Sequence, residues 1–285
     1  MTATRLDEDF TSSVHVYEPH RAGLPRLGPY LRELWRRRAF ASELSRTTMR
    51  AANTTTVFGQ LWLVINPLLL AAVYFVLVTI LRGGDSDGDF FAYLVAGLFA
   101  FYFVSGAIST GAASVVGGGK LLLNTSFPRL LLPLSAVRTA FGRFLPTLVI
   151  YLPIHLALGL PWRWTMLLAV GFLAMMVVFA TGMAMIFATA QVYFRDTASF
   201  LPYFIRIWLY LSPILWYPGQ VPDEIKDFMI LNPLYPMIGG WSELLGAGEI
   251  PQASWWVAGT LWAMAAVVVG SLFFMSRERE FAVRL

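Results

Sequence analysis

The sequence predicts an all-α integral membrane protein with six transmembrane helices, an N-terminal amphipathic interface helix and short re-entrant helices between spans five and six. Composition is the first observation that predicts this class. Of the 285 residues, 57% are hydrophobic and only 13% are charged, whereas a soluble domain carries about 25% charged residues. Length is the second, because the uncharged runs reach the roughly 20 residues needed to cross a bilayer.

The part of the chain before the first apolar run divides into two. Residues 1–28 mix prolines, histidines and charges without periodicity, which predicts a flexible cytoplasmic tail without the apolar core of a signal peptide. Residues 29–50 place Leu31 and Trp35 on one helical face, although Arg38 interrupts that face. A basic helix with tryptophan on its apolar side is typical of a membrane surface, and a solvated charged helix is the alternative.

Six apolar segments follow and form the predicted transmembrane domain, residues 51–285. Pro67 predicts a kink in the first segment, because it leaves a backbone carbonyl without its helical partner. The predicted spans are residues 61–81, 90–114, 134–160, 166–190, 197–217 and 254–275.

A turn-rich basic loop, residues 117–133, separates the second span from the third. Three glycines interrupt the preceding helix, and Pro128 and Pro133 bound a segment of one or two helical turns. Lys120 and Arg129 indicate a cytoplasmic location. A short helix here could dock on a soluble partner through the apolar side chains of Phe127, Leu131 and Leu132.

Residues 218–250, between spans five and six, contain two apolar pieces that are too short to cross a membrane. Residues 225–231 and 234–245 are separated by Asn232 and Pro233. Pieces of this length favour re-entrant or interfacial helices. An external loop packed on itself is the alternative.

Positive charge is distributed unevenly along the chain. Of the 21 lysines and arginines, all but Arg82, Arg163 and Lys226 lie on segments that six spans place on the same side as the termini. Cytoplasmic loops carry the excess of Lys and Arg. Both termini are therefore predicted to be cytoplasmic, in a multi-pass protein of the plasma (inner) membrane.

Catalytic and metal-binding groups are nearly absent from the predicted spans. Between Phe90 and Pro222 the only acidic residue is Asp196, so neither an ion-coupled transporter nor a membrane enzyme that needs converging carboxylates is favoured. The absence of cysteine excludes thiolate metal sites. Gly119-Lys120 is not a phosphate-binding loop, because Leu121 replaces the required Ser or Thr. No catalytic residue, metal site or cofactor is predicted in this chain.

Three arginines, Arg138, Arg143 and Arg206, lie within about two helical turns of the predicted cytoplasmic surface. They either snorkel to the interface or admit an anionic group such as a lipid diphosphate, since arginine binds phosphate oxygens bidentately. Aromatic rings either pack against lipid and core or line a path for a glycan. The rings predicted to line the path are Trp62, Tyr74, Phe101, Tyr102, Tyr203, Trp208, Tyr210 and Trp216.

Five short motifs give the chain a family resemblance. They are Gly59-Gln60-Leu61-Trp62 with Asn66-Pro67-Leu68, Ser126-Phe127-Pro128-Arg129 with Leu132-Pro133-Leu134, Tyr193-Phe194-Arg195-Asp196, Leu211-Ser212-Pro213-Ile214 and Leu231-Asn232-Pro233. In this order and spacing, residues 30–280 resemble the polysaccharide-exporting permeases of ATP-binding-cassette transporters, the type-2 exporters of O-antigen, teichoic acid, capsule and galactan. Each motif is weak by itself, but five in register are specific.

The resemblance implies a transport subunit rather than an enzyme, moving a polyprenyl-diphosphate-linked polysaccharide of galactan, O-antigen or teichoic-acid type out of the cytoplasm. It implies a homodimer in the membrane with two cytoplasmic ATPase subunits, which would bind ATP and Mg²⁺, and no nucleic-acid partner. A permease of the same superfamily that exports drugs or lipids is the alternative.

The resemblance also assigns roles to segments. Residues 127–132 would form the coupling helix, residues 29–50 would lie near the ATPase, and residues 223–246 would form outer gate helices. The residues predicted to couple to the ATPase are Phe127, Pro128, Arg129, Leu131, Arg195 and Asp196. The residues predicted to form the outer gate are Phe228, Ile238, Trp241 and Leu244.

Overall fold

The computed structural model describes residues 23–51, 58–84, 88–246, 248 and 250–284. Most of the predicted flexible tail, residues 1–22, lies outside the described residues. The regular structure of the described residues is helical throughout, with no strand. The all-α class is therefore confirmed.

Two helices, rather than one, stand at the place of the predicted interface helix. Helix α1 (Leu27–Arg36) and helix α2 (Arg38–Ala51) are separated at Arg37, whose backbone is not helical (φ −96°, ψ 14°). The Arg37 guanidinium pairs with Glu33 and donates a hydrogen bond of 2.6 Å to the Ser126 carbonyl oxygen. The prediction of a continuous helix was wrong at this residue, where a contact 89 residues away in sequence accompanies the break.

Ten further α-helices follow in the described residues. They are α3 (Trp62–Leu81), α4 (Gly88–Gly117), α5 (Gly119–Asn124), α6 (Leu131–Ala157), α7 (Ala169–Tyr193), α8 (Thr197–Leu211), α9 (Asp223–Met229), α10 (Leu234–Gly246), α11 (Ala253–Arg277) and α12 (Phe281–Arg284).

Five segments of the described chain are long and apolar enough to cross a membrane, which makes this a multi-pass membrane protein. They are Trp62–Leu81, Gly88–Gly117, Leu131–Ala157, Trp164–Tyr193 and Ala253–Arg284. The last has 32 residues, and a helix of that length measures about 48 Å, against about 30 Å of hydrocarbon. Its final residues therefore extend beyond the bilayer core.

The predicted fifth span, residues 197–217, is helical only over the 15 residues of α8. A helix of this length measures about 22 Å, less than the hydrocarbon core. Pro213 limits the helix, because proline disfavours helical geometry in the residue before it, and Ser212 is accordingly extended (φ −95°, ψ 150°). The count of six spans remains a prediction.

Helix α4 is the centre of the bundle and packs against α3, α6, α7, α8 and α10. Helices α7 and α11 pack closely, because glycines let their backbones meet. A Cβ atom on Gly182 would overlap the Ala266 carbonyl group, and one on Gly270 would overlap the Gly182 carbonyl oxygen. Close backbone packing through small residues is a principal source of helix association in membranes.

The region predicted to hold re-entrant helices contains α9 and α10. Helix α10 is buried against α4, α7 and α11, and Trp241 donates a hydrogen bond of 3.0 Å to the Ala96 carbonyl oxygen. Phe228 on α9 is 67% exposed. The other predicted gate residues, Ile238, Trp241 and Leu244, lie in the core.

The two ends of the bundle differ. At the basic end, the connecting segment (residues 125–130) meets α1, α2 and the C-terminal residues around an apolar cluster that includes Leu122, Leu132 and Phe281. At the opposite end, the Arg82 guanidinium lies 4.1 Å from the Phe90 ring centroid and 5.5 Å from that of Tyr217. These cation–π contacts join the end of α3 to the start of α4 and to the chain after α8.

The short helix predicted at residues 127–132 is not formed. The connecting segment is not helical, and α6 begins at Leu131. Pro133 falls in the first turn of α6, where its missing N–H would have had no helical partner, so it is compatible with a helix start. Leu131 and Leu132 are consequently 1% and 2% exposed, and they do not form a surface knob.

Candidate functional site

The predicted coupling residues lie at the basic end in two groups. Phe127, Pro128 and Arg129 belong to the connecting segment and are partly exposed, whereas Leu131 is buried. Arg195 and Asp196 are exposed in the turn between α7 and α8.

The connecting segment is held against the junction of α1 and α2. The Phe127 ring centroid lies 5.1 Å from that of Phe40 on α2. The Arg37 guanidinium binds the neighbouring Ser126 carbonyl oxygen. A partner that moves Phe127 would therefore also act on the two N-terminal helices.

Sequence reasoning missed Glu278, which lies just after α11 and is 8% exposed. The Tyr30 hydroxyl donates a hydrogen bond of 2.7 Å to its Oε2 atom, and the Arg129 guanidinium donates one to its backbone carbonyl oxygen. Burial raises the pKa of Tyr30 above its ordinary value, and the negative charge of Glu278 adds to that rise. Burial lowers the pKa of Arg129, an effect that Glu278 opposes. The only sequence signal for the role of Glu278 was an acidic residue among the C-terminal arginines.

The structure does not bring the three predicted arginines together. Arg143 lines a cavity of about 210 Å³ between α3, α4 and α6, with Trp62, Asn66 and Tyr102 among the other lining residues. Its Nε atom is buried and has no hydrogen-bond partner in the described part of the chain. The described residues that line the cavity include no carboxylate, so this partly buried cation is suited to an anionic ligand.

Arg138 and Arg206 lie elsewhere and are exposed. Arg138 lines a groove of about 780 Å³ between the N-terminal helices and α6, together with Trp35 and Arg38. Arg206 on α8 lies within electrostatic reach of Tyr74 on α3.

Four of the predicted path aromatics lie near these arginines. Trp62 and Tyr102 line the Arg143 cavity, while Tyr74 lies close to Tyr210 and Arg206. Tyr102 also interacts electrostatically with Tyr210. Tyr74 therefore lies near both arginine sites, beside Tyr102 of the cavity and beside Arg206.

The other four predicted path aromatics are placed differently. Phe101 is 2% exposed in the core, and Trp208 donates a hydrogen bond of 2.7 Å to Asn232 Oδ1. The Trp216 ring stacks on Tyr235 with centroids 6.1 Å apart. Tyr203 is 66% exposed on α8.

Comparison with known proteins gives named relatives, although no protein-family model matches the chain. The chain is 29% identical over 201 residues to the O-antigen export system permease protein RfbA of Klebsiella pneumoniae. The aligned residues make up 69% of this chain and 76% of that protein. The chain is 27% identical over 260 residues to the protein of the same name from Myxococcus xanthus, covering 88% of this chain and 97% of that protein. These similarities confirm the resemblance that the five motifs indicate.

Proposed function

We propose that this chain, a relative of polysaccharide-exporting permeases, is the transmembrane subunit of an ATP-driven exporter of polyprenyl-diphosphate-linked polysaccharide. It acts as a homodimer in the plasma membrane, with both termini in the cytoplasm. Two cytoplasmic ATPase subunits bind ATP and Mg²⁺ and dock on the basic end. The cargo is of the O-antigen, galactan or teichoic-acid type.

The Arg143 cavity is the observation that carries this proposal. An arginine that is partly buried at membrane depth without an acidic partner is costly, and a diphosphate would supply the missing negative charge. Tyrosine and tryptophan rings beside the guanidinium suit the first sugar, because they offer flat apolar faces together with polar groups. The mixture of cation and aromatic rings in one cavity fits a lipid-linked glycan better than an uncharged drug.

The neighbouring tyrosines extend this site towards α8. Tyr102 belongs to the cavity and lies close to Tyr210, which in turn lies close to Tyr74 next to Arg206. A glycan that leaves the cavity would therefore meet further hydroxyl-bearing rings. Arg206 would accompany the diphosphate at the exposed face of α8.

Substitution of Arg143 by glutamine tests the proposal. A contact between arginine and a phosphate contributes about 1.5–3 kcal/mol, so we expect the apparent affinity for substrate to fall by about tenfold to a hundredfold. The measurement is ATP hydrolysis by the reconstituted permease–ATPase complex in lipid discs, titrated with purified lipid-linked glycan. Arg143→Lys should recover part of the loss, since an ammonium lacks the forked geometry.

Arg163→Gln is the matched control, because it removes one exposed arginine from the turn before α7 at the other end of the bundle. It should titrate like the wild type. An unchanged half-stimulating concentration in Arg143→Gln would contradict the assignment of the cavity. Stimulation of the wild-type complex by hydrophobic drugs but not by glycan would favour the alternative exporter class.

A further inference from the structure

Glu278 is the only carboxylate, lysine or arginine side chain in the described part of the chain that is buried. A buried charge is costly unless other groups compensate it. Here Tyr30 of α1 binds the carboxylate, and Arg129 of the connecting segment binds the carbonyl oxygen of the same residue. One residue after α11 therefore contacts two segments that are far from it in sequence.

The residues that follow Glu278 are fixed to the bundle by a separate set of contacts. The Tyr193 hydroxyl at the end of α7 donates a hydrogen bond to Glu280, and Arg277 and Arg284 pair with the same carboxylate at 3.4 and 3.5 Å. Phe281 is fully buried, with its ring centroid 5.1 Å from that of Phe274. The buried Phe281 ring is the main support of this segment, whereas the Glu280 contacts are partly exposed and peripheral to it.

Without Glu278, the connecting segment would contact fewer helices of the bundle. Phe127 and Ser126 join it to the N-terminal helices, and Leu131 continues directly into α6. The Arg129 hydrogen bond joins it to α11, which in turn packs closely on α7. Glu278 therefore adds a route from the connecting segment to the second half of the bundle.

We infer that Glu278 is a positioning residue for energy coupling, which holds the connecting segment against α1 and α11 so that force applied at Phe127–Arg129 moves both helices. This inference rests on the proposed function, in which the connecting segment docks on the ATPase. The Tyr30 contact fixes the carboxylate, and the fixed residue presents its carbonyl oxygen to Arg129.

The first test measures anchoring without the ATPase or substrate. A nitroxide spin label at Ser126→Cys, in a chain that has no native cysteine, reports the mobility of the connecting segment. We expect Tyr30→Phe and Glu278→Gln to convert an immobilised spectrum into a more mobile one. The matched controls are Tyr193→Phe and Glu280→Gln, which remove the neighbouring hydrogen bond without touching Tyr30 or Arg129, and they should leave the spectrum unchanged.

The second test measures coupling in the complete permease–ATPase complex. We expect Tyr30→Phe and Glu278→Gln to raise the number of ATP molecules hydrolysed per glycan exported by about threefold or more, because the loss of a hydrogen bond to a charged group shifts an equilibrium by about tenfold. The half-stimulating glycan concentration should not change. Glu280→Gln should retain the wild-type ratio.

Two results would overturn the inference. One is an unchanged label spectrum in a folded Glu278→Gln protein, and the other is a mobile label together with a wild-type coupling ratio. A wild-type complex that lipid-linked glycan does not stimulate would refute the proposed function instead, while the label spectra would still decide whether Glu278 anchors the segment.

Discussion

Arg129 and Arg143 are both partly buried, yet their surroundings differ. Arg129 binds the carbonyl oxygen of Glu278, whereas the Nε atom of Arg143 has no partner among the described residues. A partnered arginine stabilises the fold, and an unpartnered one next to a cavity favours a ligand. The sequence pattern, which placed Arg143 with Arg138 and Arg206, could not separate these cases because it does not encode which helices face each other.

Phe127 and Arg129 are expected to couple the chain to its ATPase. Phe127→Ala removes the ring that packs on Phe40, and Arg129→Glu places a second negative charge beside Glu278, which repels it. We expect both variants to insert normally but to hydrolyse ATP with little export. The measurement is glycan export per ATP hydrolysed in proteoliposomes.

Phe273→Ala is the control for Phe127→Ala, because it truncates a partly exposed phenylalanine on α11 outside the proposed docking surface. Its export per ATP should match that of the wild type. Full export by Phe127→Ala and Arg129→Glu at normal expression would contradict the docking hypothesis.

At the scale of helices, the sequence predicted the positions of the long apolar helices well and the positions of helix ends in the polar segments poorly. Five predicted spans coincide with long helices to within a few residues, because burial in a bilayer requires an uninterrupted apolar run. The break at Arg37 and the start of α6 at Leu131 were missed. The break accompanies a tertiary contact, and the helix start depends on which turn of the helix Pro133 occupies. Hydrophobic periodicity carries information on neither of these causes.

The crossing of α7 and α11 allows a stability prediction. Gly182→Ala and Gly270→Ala would each push a Cβ atom into the backbone of the other helix, and overpacking of this kind typically costs about 1–3 kcal/mol. Gly106→Ala is the control, because a Cβ atom on this α4 residue meets nothing within 4 Å. It should be neutral or stabilising by up to about 1 kcal/mol. Thermal unfolding in detergent measures all three, and unchanged stability of Gly182→Ala would contradict the close packing.

At the scale of the whole molecule, the two ends of the described chain meet. Tyr30 of α1 donates a hydrogen bond to Glu278 after α11, so both ends lie on one side of the bundle and the chain between them must cross it an even number of times. Five described segments have the length and hydropathy of a span. One more crossing is therefore expected elsewhere.

Residues 197–217 are the segment expected to supply that crossing. They begin at the basic end after Asp196 and reach the opposite end, where the Tyr217 ring lies 5.4 Å from Phe90. Along the way, Tyr93 of α4 donates a hydrogen bond of 2.8 Å to the Pro213 carbonyl oxygen. Because the helix stops at Leu211, the last residues cross as irregular chain, which a membrane tolerates only where protein surrounds it.

Single cysteines test this sixth crossing, since the chain has none of its own. Ser199, Gly219 and Val283 are exposed, so Ser199→Cys, Gly219→Cys and Val283→Cys should each react with a membrane-impermeant maleimide. We expect Ser199→Cys and Val283→Cys to be labelled in inverted vesicles, because the excess of arginine places that side in the cytoplasm. Gly219→Cys should be labelled only in right-side-out vesicles. If Gly219→Cys were labelled from the same side as Val283→Cys, residues 197–217 would not cross the membrane. Another segment would then have to supply the sixth crossing.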